Sequence, residues 1–195
     1  MIKTANKISI IGGSGTGKTT LANNLAQELQ LPVYHIDGIH HLENWKVRDK
    51  QERDKIILEK ASQSKWIIDG TYRSTLSERL EKSDLVIYLD YSSIAQVKGV
   101  LMRFIKNSGK EKPEIPGCEE RISFKFFLFV LNWRKNKRNE VVEKINKIEK
   151  NKVLIFKNRR ELNKWYYNQF NKKITKEFWK EEKICFIQTK RLFME

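Results

Sequence analysis

The residues with the clearest chemical meaning are glycines spaced around a lysine and a threonine near the amino terminus. The run Gly12-Gly13-Ser14-Gly15-Thr16-Gly17-Lys18-Thr19 matches the pattern GxxxxGK[ST] in full. Glycines let the backbone curl so that its N–H groups face an anion, and a helix beginning at Lys18 adds the positive end of its dipole. We therefore expect this run and Thr20 to bind ATP. Lys18 would contact the β- and γ-phosphates, and the Thr19 hydroxyl would bind Mg²⁺.

Two aspartates directly follow apolar runs that are typical of strands. Asp37 ends Tyr34-His35-Ile36-Asp37, and Asp69 ends Trp66-Ile67-Ile68-Asp69. Ligands of parallel sheets collect at the carboxyl ends of the strands, so both carboxylates should lie near the phosphate loop. One could hold Mg²⁺, for which we favour Asp69, and the other could orient or deprotonate an acceptor hydroxyl. Asp90 is a third candidate, although an aspartate in this position can also serve only as a cap or turn former.

Five short apolar runs predict the strands that position these residues. Their hydrophobicity is continuous, so both faces should be covered, as in a parallel sheet between helices. The class is therefore α/β, with a three-layer α/β/α arrangement. The strands are expected at Ile8–Ile11, Val33–Ile36, Trp66–Ile68, Leu85–Leu89 and Val153–Phe156. Helices are expected at Lys18–Gln30, Arg48–Ser62, Ser74–Lys82, Ser93–Ile105, Arg121–Asn151 and Arg160–Phe170.

The segment Asn107–Glu120 interrupts the helical pattern with glycines and prolines and predicts a loop or flap. A flap that closes over the phosphates would exclude water from phosphoryl transfer. We expect one domain over residues 1–170, with a helical lid at about 106–140. The basic tail, residues 171–195, retains Ile174, Phe178 and Trp179 and is expected to pack partly on the domain.

Charge is the strongest signal in the composition. The formal net charge of +15 indicates an anionic partner, either nucleotide phosphates or nucleic acid, although solvated helix faces would carry the same charge. No nucleic-acid-binding motif accompanies it. The longest apolar run, Phe126–Leu131, is too short to cross a membrane, and no signal-peptide pattern is present, so we expect a cytoplasmic protein without a membrane partner. The two cysteines and three histidines lack the spacing of a metal site.

Together, these segments carry a resemblance to known proteins. Gly12–Thr19 with Asp69-Gly70-Thr71-Tyr72-Arg73 resembles the adenylate-kinase superfamily of P-loop NTPases. Trp66–Asp90, Gly117-Cys118, Arg121 and Asn132-Trp133-Arg134 resemble the bacterial DNA topology modulation proteins of the FlaR type. The resemblance covers roughly the first 165 residues. It implies a nucleoside-monophosphate-kinase-like sheet with strand order 2-3-1-4-5 and a helical lid.

The resemblance also implies roles for individual residues. Asp69 corresponds to the carboxylate that holds a magnesium-bound water, and Arg73 to an arginine on the acceptor phosphate. The remaining positions are the arginine before the lid, two lid arginines that close over the transferred group, and one arginine in the loop on the nucleotide base: Arg103, Arg134, Arg138 and Arg159. Guanidinium groups suit such positions because they bind phosphate oxygens in a fork.

Three functions are compatible with these features. The favoured one is a kinase that uses ATP and Mg²⁺ to phosphorylate a nucleotide or a small hydroxylated acceptor, with Lys18, Asp37 and Asp69 at its centre. The alternative is a DNA-associated protein regulated by ATP. A switch GTPase is the weakest hypothesis, because it needs an Asn-Lys-x-Asp motif and Asn151-Lys152-Val153-Leu154 lacks the aspartate.

Overall fold

The computed structural model describes residues 2–175, and its centre is a sheet of five parallel strands. The order across the sheet is β2-β3-β1-β4-β7, so the predicted order of the five apolar runs is confirmed. These strands are β1 (Lys7–Gly12), β2 (Val33–His35), β3 (Trp66–Asp69), β4 (Leu85–Leu89) and β7 (Val153–Phe156). Two further strands, β5 (Glu111–Lys112) and β6 (Ile115–Glu119), form a separate antiparallel hairpin.

The described part of the chain contains seven α-helices. They are α1 (Lys18–Leu29), α2 (Ile36–His40), α3 (Lys50–Ala61), α4 (Leu76–Lys82), α5 (Ser93–Asn107), α6 (Phe124–Ile145) and α7 (Arg159–Phe170). Four of them begin where a side chain accepts backbone N–H groups that the helix leaves free. Asp49, Ser92, Ser123 and Asn158 cap α3, α5, α6 and α7 in this way.

Helices cover both faces of the sheet because the strand residues alternate between two apolar clusters. On one face, Ile8, Ile10 and Ile87 pack against α1 and α7. On the other, Val86 and Tyr88 pack against α4 and α6, while α3 covers the strand edge through Ile57. The predicted three-layer α/β/α arrangement is confirmed.

Three differences from the sequence prediction bear on the site. The second strand ends at His35, because Ile36 already begins the short helix α2. The segment predicted as an irregular flap contains the β5–β6 hairpin. The long helix is shorter than predicted, since the Ser123 cap starts it after Arg121 and it ends at Ile145.

The chain end of the described part is attached to α1. The side chain of the buried Asn24 donates to the Thr175 carbonyl at 2.8 Å and accepts from the Thr175 N–H at 2.9 Å. Most of the tail that we expected to pack, residues 176–195 with Phe178 and Trp179, lies outside the described residues. No helix within residues 2–175 is long and apolar enough to cross a membrane.

Candidate functional site

The phosphate loop joins β1 to α1 and carries the lysine that the sequence singles out. Gly15 and Gly17 have φ values of +76° and +91°, which residues with a side chain rarely adopt. The Lys18 ammonium donates to the Gly13 carbonyl at 2.9 Å, and the buried Thr16 hydroxyl donates to the same oxygen at 2.9 Å. Burial lowers the pKa of Lys18, and the charges of Arg103 and Lys112 add to the effect. The loop therefore holds the Lys18 side chain in place through a hydrogen bond to its own backbone.

Helix α5 packs directly on this loop. A Cβ atom on Gly99 would lie 2.0 Å from the Gly15 carbonyl oxygen, so only glycine permits the contact. The buried Gln96 lies beside Gly13, where a Cβ would come 1.9 Å from its Oε1 atom, and its amide donates to the Tyr91 carbonyl at 2.9 Å. Helix α5 thus supports the loop through direct packing on Gly13 and Gly15.

Asp69 and Thr19, the predicted metal-binding pair, are in contact. The Thr19 hydroxyl donates to Asp69 Oδ2 at 2.8 Å, and His35 Nδ1 donates to Asp69 Oδ1 at 2.8 Å. Burial would raise the pKa of Asp69, but the His35 charge and hydrogen bond, together with Lys18, outweigh it and lower that pKa. Asp69 is therefore an anion. A carboxylate and a hydroxyl at this separation fit the oxygen ligands that Mg²⁺ prefers.

The segment after β3 is fixed by a buried arginine that the sequence reasoning did not assign to the site. The Arg79 guanidinium donates to the carbonyls of Gly70 and Tyr72 at 3.1 and 3.2 Å. Burial lowers its pKa to about 10, and Asp69 opposes the shift. Thr71 connects the segment to the phosphate loop, since its hydroxyl donates to the Gly12 carbonyl at 2.7 Å. These bonds position Arg73 relative to the loop.

A cleft of about 1340 Å³ opens next to the phosphate loop and receives most of the predicted site residues. Asp37 lies on its wall and accepts a hydrogen bond from the Tyr72 hydroxyl at 3.3 Å. Arg73 also lines the cleft and is paired with Glu140 of α6. Arg53, which the sequence reasoning missed, lies against the Tyr72 ring and bonds Asp54 at 2.6 Å. This part of the cleft thus brings the Asp37 carboxylate together with two arginines, Arg53 and Arg73.

Arg103 and Arg159 line the same cleft, whereas Arg134 and Arg138 do not belong to its lining residues within 2–175. Both instead bind Asp90 at 2.7 Å, and Lys157 binds it at 2.6 Å. Burial would raise the pKa of Asp90, but the hydrogen bonds of Arg138 and Lys157 and the charge of Arg134 hold that pKa well below its usual range. Asp90, the third candidate carboxylate, is therefore the centre of an ion-pair cluster that joins α6 to the end of β4. The contacts of Arg134 and Arg138 with a transferred phosphoryl group stay a prediction.

The β5–β6 hairpin lies over the short segment between α2 and α3. The Cys118 thiol donates to the Leu42 carbonyl at 3.3 Å and accepts the Trp45 N–H at 3.0 Å. The Trp45 ring lies between two cations from the hairpin side, with Arg121 at 5.0 Å and Lys112 at 5.4 Å from its centre. The flap predicted from the sequence therefore has defined structure and covers one side of the cleft.

The comparisons with known proteins agree with this geometry. A model of the family "MobB: Molybdopterin guanine dinucleotide synthesis protein B" matches residues 7–119, which span β1 to β6. The chain belongs to this family. A search by sequence among curated proteins found no match. The resemblance of this MobB-family chain to the FlaR-type proteins stays a prediction.

Solved structures similar to the MobB-family chain are described as small-molecule kinases. Shikimate kinase from Acinetobacter baumannii, in complex with shikimate, has a TM-score of 0.57 at 18% identity over 89% of this chain and 98% of that one. Shikimate kinase from Bacteroides thetaiotaomicron has a TM-score of 0.51 at 15% identity over 87% and 100%. A gluconokinase from Sinorhizobium meliloti 1021 has 0.44 at 15% over 84% and 97%. The MobB-family chain thus has the P-loop kinase fold.

Proposed function

We propose that the protein is a magnesium-dependent phosphotransferase that moves the γ-phosphate of ATP to a nucleotide or a small hydroxylated acceptor. The observation that carries the proposal is the shared cleft. It brings the Lys18 ammonium and the Thr19 hydroxyl together with Asp37 and Arg73 on the acceptor side. A binding protein for nucleotides needs the first pair only, whereas phosphoryl transfer needs both.

Each residue has a task that follows from its contacts. Lys18 exchanges the Gly13 carbonyl for phosphate oxygens, and Arg103 and Arg159 neutralise further charge on the donor. Thr19 and Asp69 would hold Mg²⁺, which supplies charge neutralisation between the phosphates when bound. Asp37 accepts the proton of the acceptor hydroxyl, and Arg73 leaves Glu140 to bind an anionic group of the acceptor.

Two comparisons support the proposal. A kinase bound to shikimate shares the fold, which makes a small acceptor compatible with this architecture. The family description names the synthesis of a guanine dinucleotide, which supports a role on nucleotides and adds GTP to the donors worth testing.

The proposal is tested by turnover with purified protein. ATP or GTP with Mg²⁺ and a panel of nucleosides, nucleotides and hydroxylated metabolites should yield one phosphorylated acceptor, detected by mass spectrometry and nucleoside diphosphate release. Lys18→Ala should abolish nucleotide binding with the fold intact. Asp69→Asn should spare binding and lower the rate by roughly a hundredfold or more, because it removes charge from the metal ligand. If no acceptor raises diphosphate release above background, the kinase proposal fails.

A second function, an ATP-regulated DNA-associated protein, is favoured by the net charge of +15. It predicts DNA binding that responds to ATP. The two proposals therefore predict different results. In the first, a small acceptor raises nucleotide turnover, and in the second, ATP changes the affinity for DNA.

A further inference from the structure

Glu120, the residue after the hairpin, is a buried carboxylate that holds two cations from different elements. Its side chain is 2% exposed. The Arg103 guanidinium of α5 lies 3.0 Å from Oε1, and the Lys112 ammonium of β5 lies 3.7 Å from Oε2. A buried carboxylate is tolerated only when it is paired, so these cations fix Glu120 and Glu120 fixes them.

The two cations exceed the charge of the carboxylate by one, and both line the cleft. Lys112 is further restricted by the Trp45 ring, 5.4 Å from its ammonium. Its side chain is only 11% exposed, so it is held in place rather than extended into solvent. A lysine fixed on two sides in this way is preorganised to meet an anion.

Lys112 and the phosphate loop line the same cleft. The positive charges of Arg103 and Lys112 both act on the Lys18 ammonium, as expected for groups that share one region of the cleft. The carboxylates of Asp37 and Asp69 act on Lys18 in the opposite direction. The three cations still repel one another, and an anion between them lowers that repulsion. The cationic set therefore fits a polyphosphate better than a neutral ligand.

The cations that line the cleft gain importance because the Asp90 cluster occupies two other arginines. Arg134 and Arg138, which the resemblance assigns to the closing lid, are bound to Asp90. On the hairpin side, Lys112 lines the cleft, and the single charge of Glu120 is shared between Lys112 and Arg103.

We infer that Lys112 is a phosphate-binding residue of the lid, positioned by Glu120 and acting with Arg103 on the terminal phosphate of the bound nucleoside triphosphate. The inference rests on the proposed function for the identity of the anion. It adds a residue from the hairpin to the donor site, where the sequence pattern gave no signal beyond one lysine among many.

The experiment compares the affinities for MgATP and MgADP by isothermal titration calorimetry. Lys112→Met should weaken MgATP about tenfold more than MgADP, since a hydrogen bond to a charged group is lost only with the terminal phosphate. Lys112→Arg should restore most of the ATP preference. The matched control is Lys110→Met, which removes the same charge from an exposed position two residues away and should leave both affinities unchanged. Glu120→Gln should reduce the ATP preference in the same direction, because it releases Lys112.

The ATP-to-ADP ratio is measured within each variant, so a fraction of unfolded protein does not affect it. An unchanged ratio in Lys112→Met overturns the inference while the proposed function stands. An equal loss for both nucleotides also overturns it, because the contact would then lie on another part of the ligand. Wild-type protein that binds neither nucleotide overturns the proposed function and the inference together.

Discussion

At the scale of single residues, Asp90 shows how burial decides the role of a carboxylate. Its side chain is fully buried, and three cations lie within 2.7 Å of its oxygens. The Tyr88 hydroxyl donates to the same carboxylate at 3.2 Å. Because these hydrogen bonds occupy both of its oxygens, Asp90 serves the structure, and Asp69 stays the proposed metal ligand.

Replacing Asp90 by asparagine should therefore destabilise the fold. The substitution removes the counter-charge of Arg134, Arg138 and Lys157, whose side chains are partly exposed, so the expected cost is that of lost hydrogen bonds between charged groups, about 1.5–3 kcal/mol. Urea unfolding followed by circular dichroism measures the difference. Glu81→Gln, at an exposed position, is the control with the same charge change and should have almost no effect. An equal free energy of unfolding in Asp90→Asn and wild type would contradict the structural role.

The same cluster has a pH signature. The pKa of Asp90 is lowered in the folded state, so its contribution to stability is complete above the ordinary aspartate pKa of about 3.9. It is lost as the pH falls below that value towards the folded-state pKa. The stability difference between wild type and Asp90→Asn should therefore shrink in this acid range and stay constant above pH of about 5.

At the scale of elements, the contact of α5 with the phosphate loop depends on glycine on both sides. Gly99 is a helical residue, and alanine at such a position normally stabilises a helix by about 1 kcal/mol. Here the added Cβ would meet the Gly15 carbonyl at 2.0 Å, which is far below van der Waals contact. Packing and helix propensity thus predict opposite results for one substitution.

We expect packing to dominate in Gly99→Ala. The loop or the helix must shift, so the affinity for MgATP should fall at least about tenfold and the protein should lose roughly 1–3 kcal/mol of stability. Calorimetry and thermal unfolding measure the two effects. Lys98→Ala, on the exposed side of the same helix, is the control for propensity alone. A Gly99→Ala protein that is more stable and binds ATP normally would show that the helix and the loop are not tightly packed.

The elements also show where sequence reasoning succeeds and where it stops. The strands and the phosphate loop were predictable because their signals are local: continuous apolar runs and a fixed glycine spacing. The contacts of His35 with Asp69 and of Lys112 with Glu120 were not, because each joins residues from separate elements whose side chains have many other partners nearby. Arg134 illustrates the same limit, since its helix was predicted but its partner Asp90, 44 positions away, was not.

At the scale of the whole molecule, the net charge of +15 leads us to expect nonspecific binding to DNA at low salt. We expect this binding to weaken steeply between about 50 and 200 mM salt and to be the same for wild type and Lys18→Ala. Fluorescence anisotropy with a labelled duplex at several salt concentrations measures it. Binding that persists at physiological ionic strength, and that ATP changes in wild type but not in Lys18→Ala, would instead favour the DNA-associated function.

The buried thiol of Cys118 allows the opening of the β5–β6 hairpin to be measured in the intact protein. It is fully buried between the hairpin and the Leu42 carbonyl, so an alkylating reagent can reach it only while these parts are separated. The rate of alkylation then reports how often the β5–β6 hairpin separates from the Leu42 segment. Bound MgATP should lower this rate severalfold if the nucleotide stabilises the closed position of the hairpin. Peptide mass spectrometry distinguishes this cysteine from Cys185, and alkylation as fast as in denatured protein would show that the hairpin spends little time in the closed position.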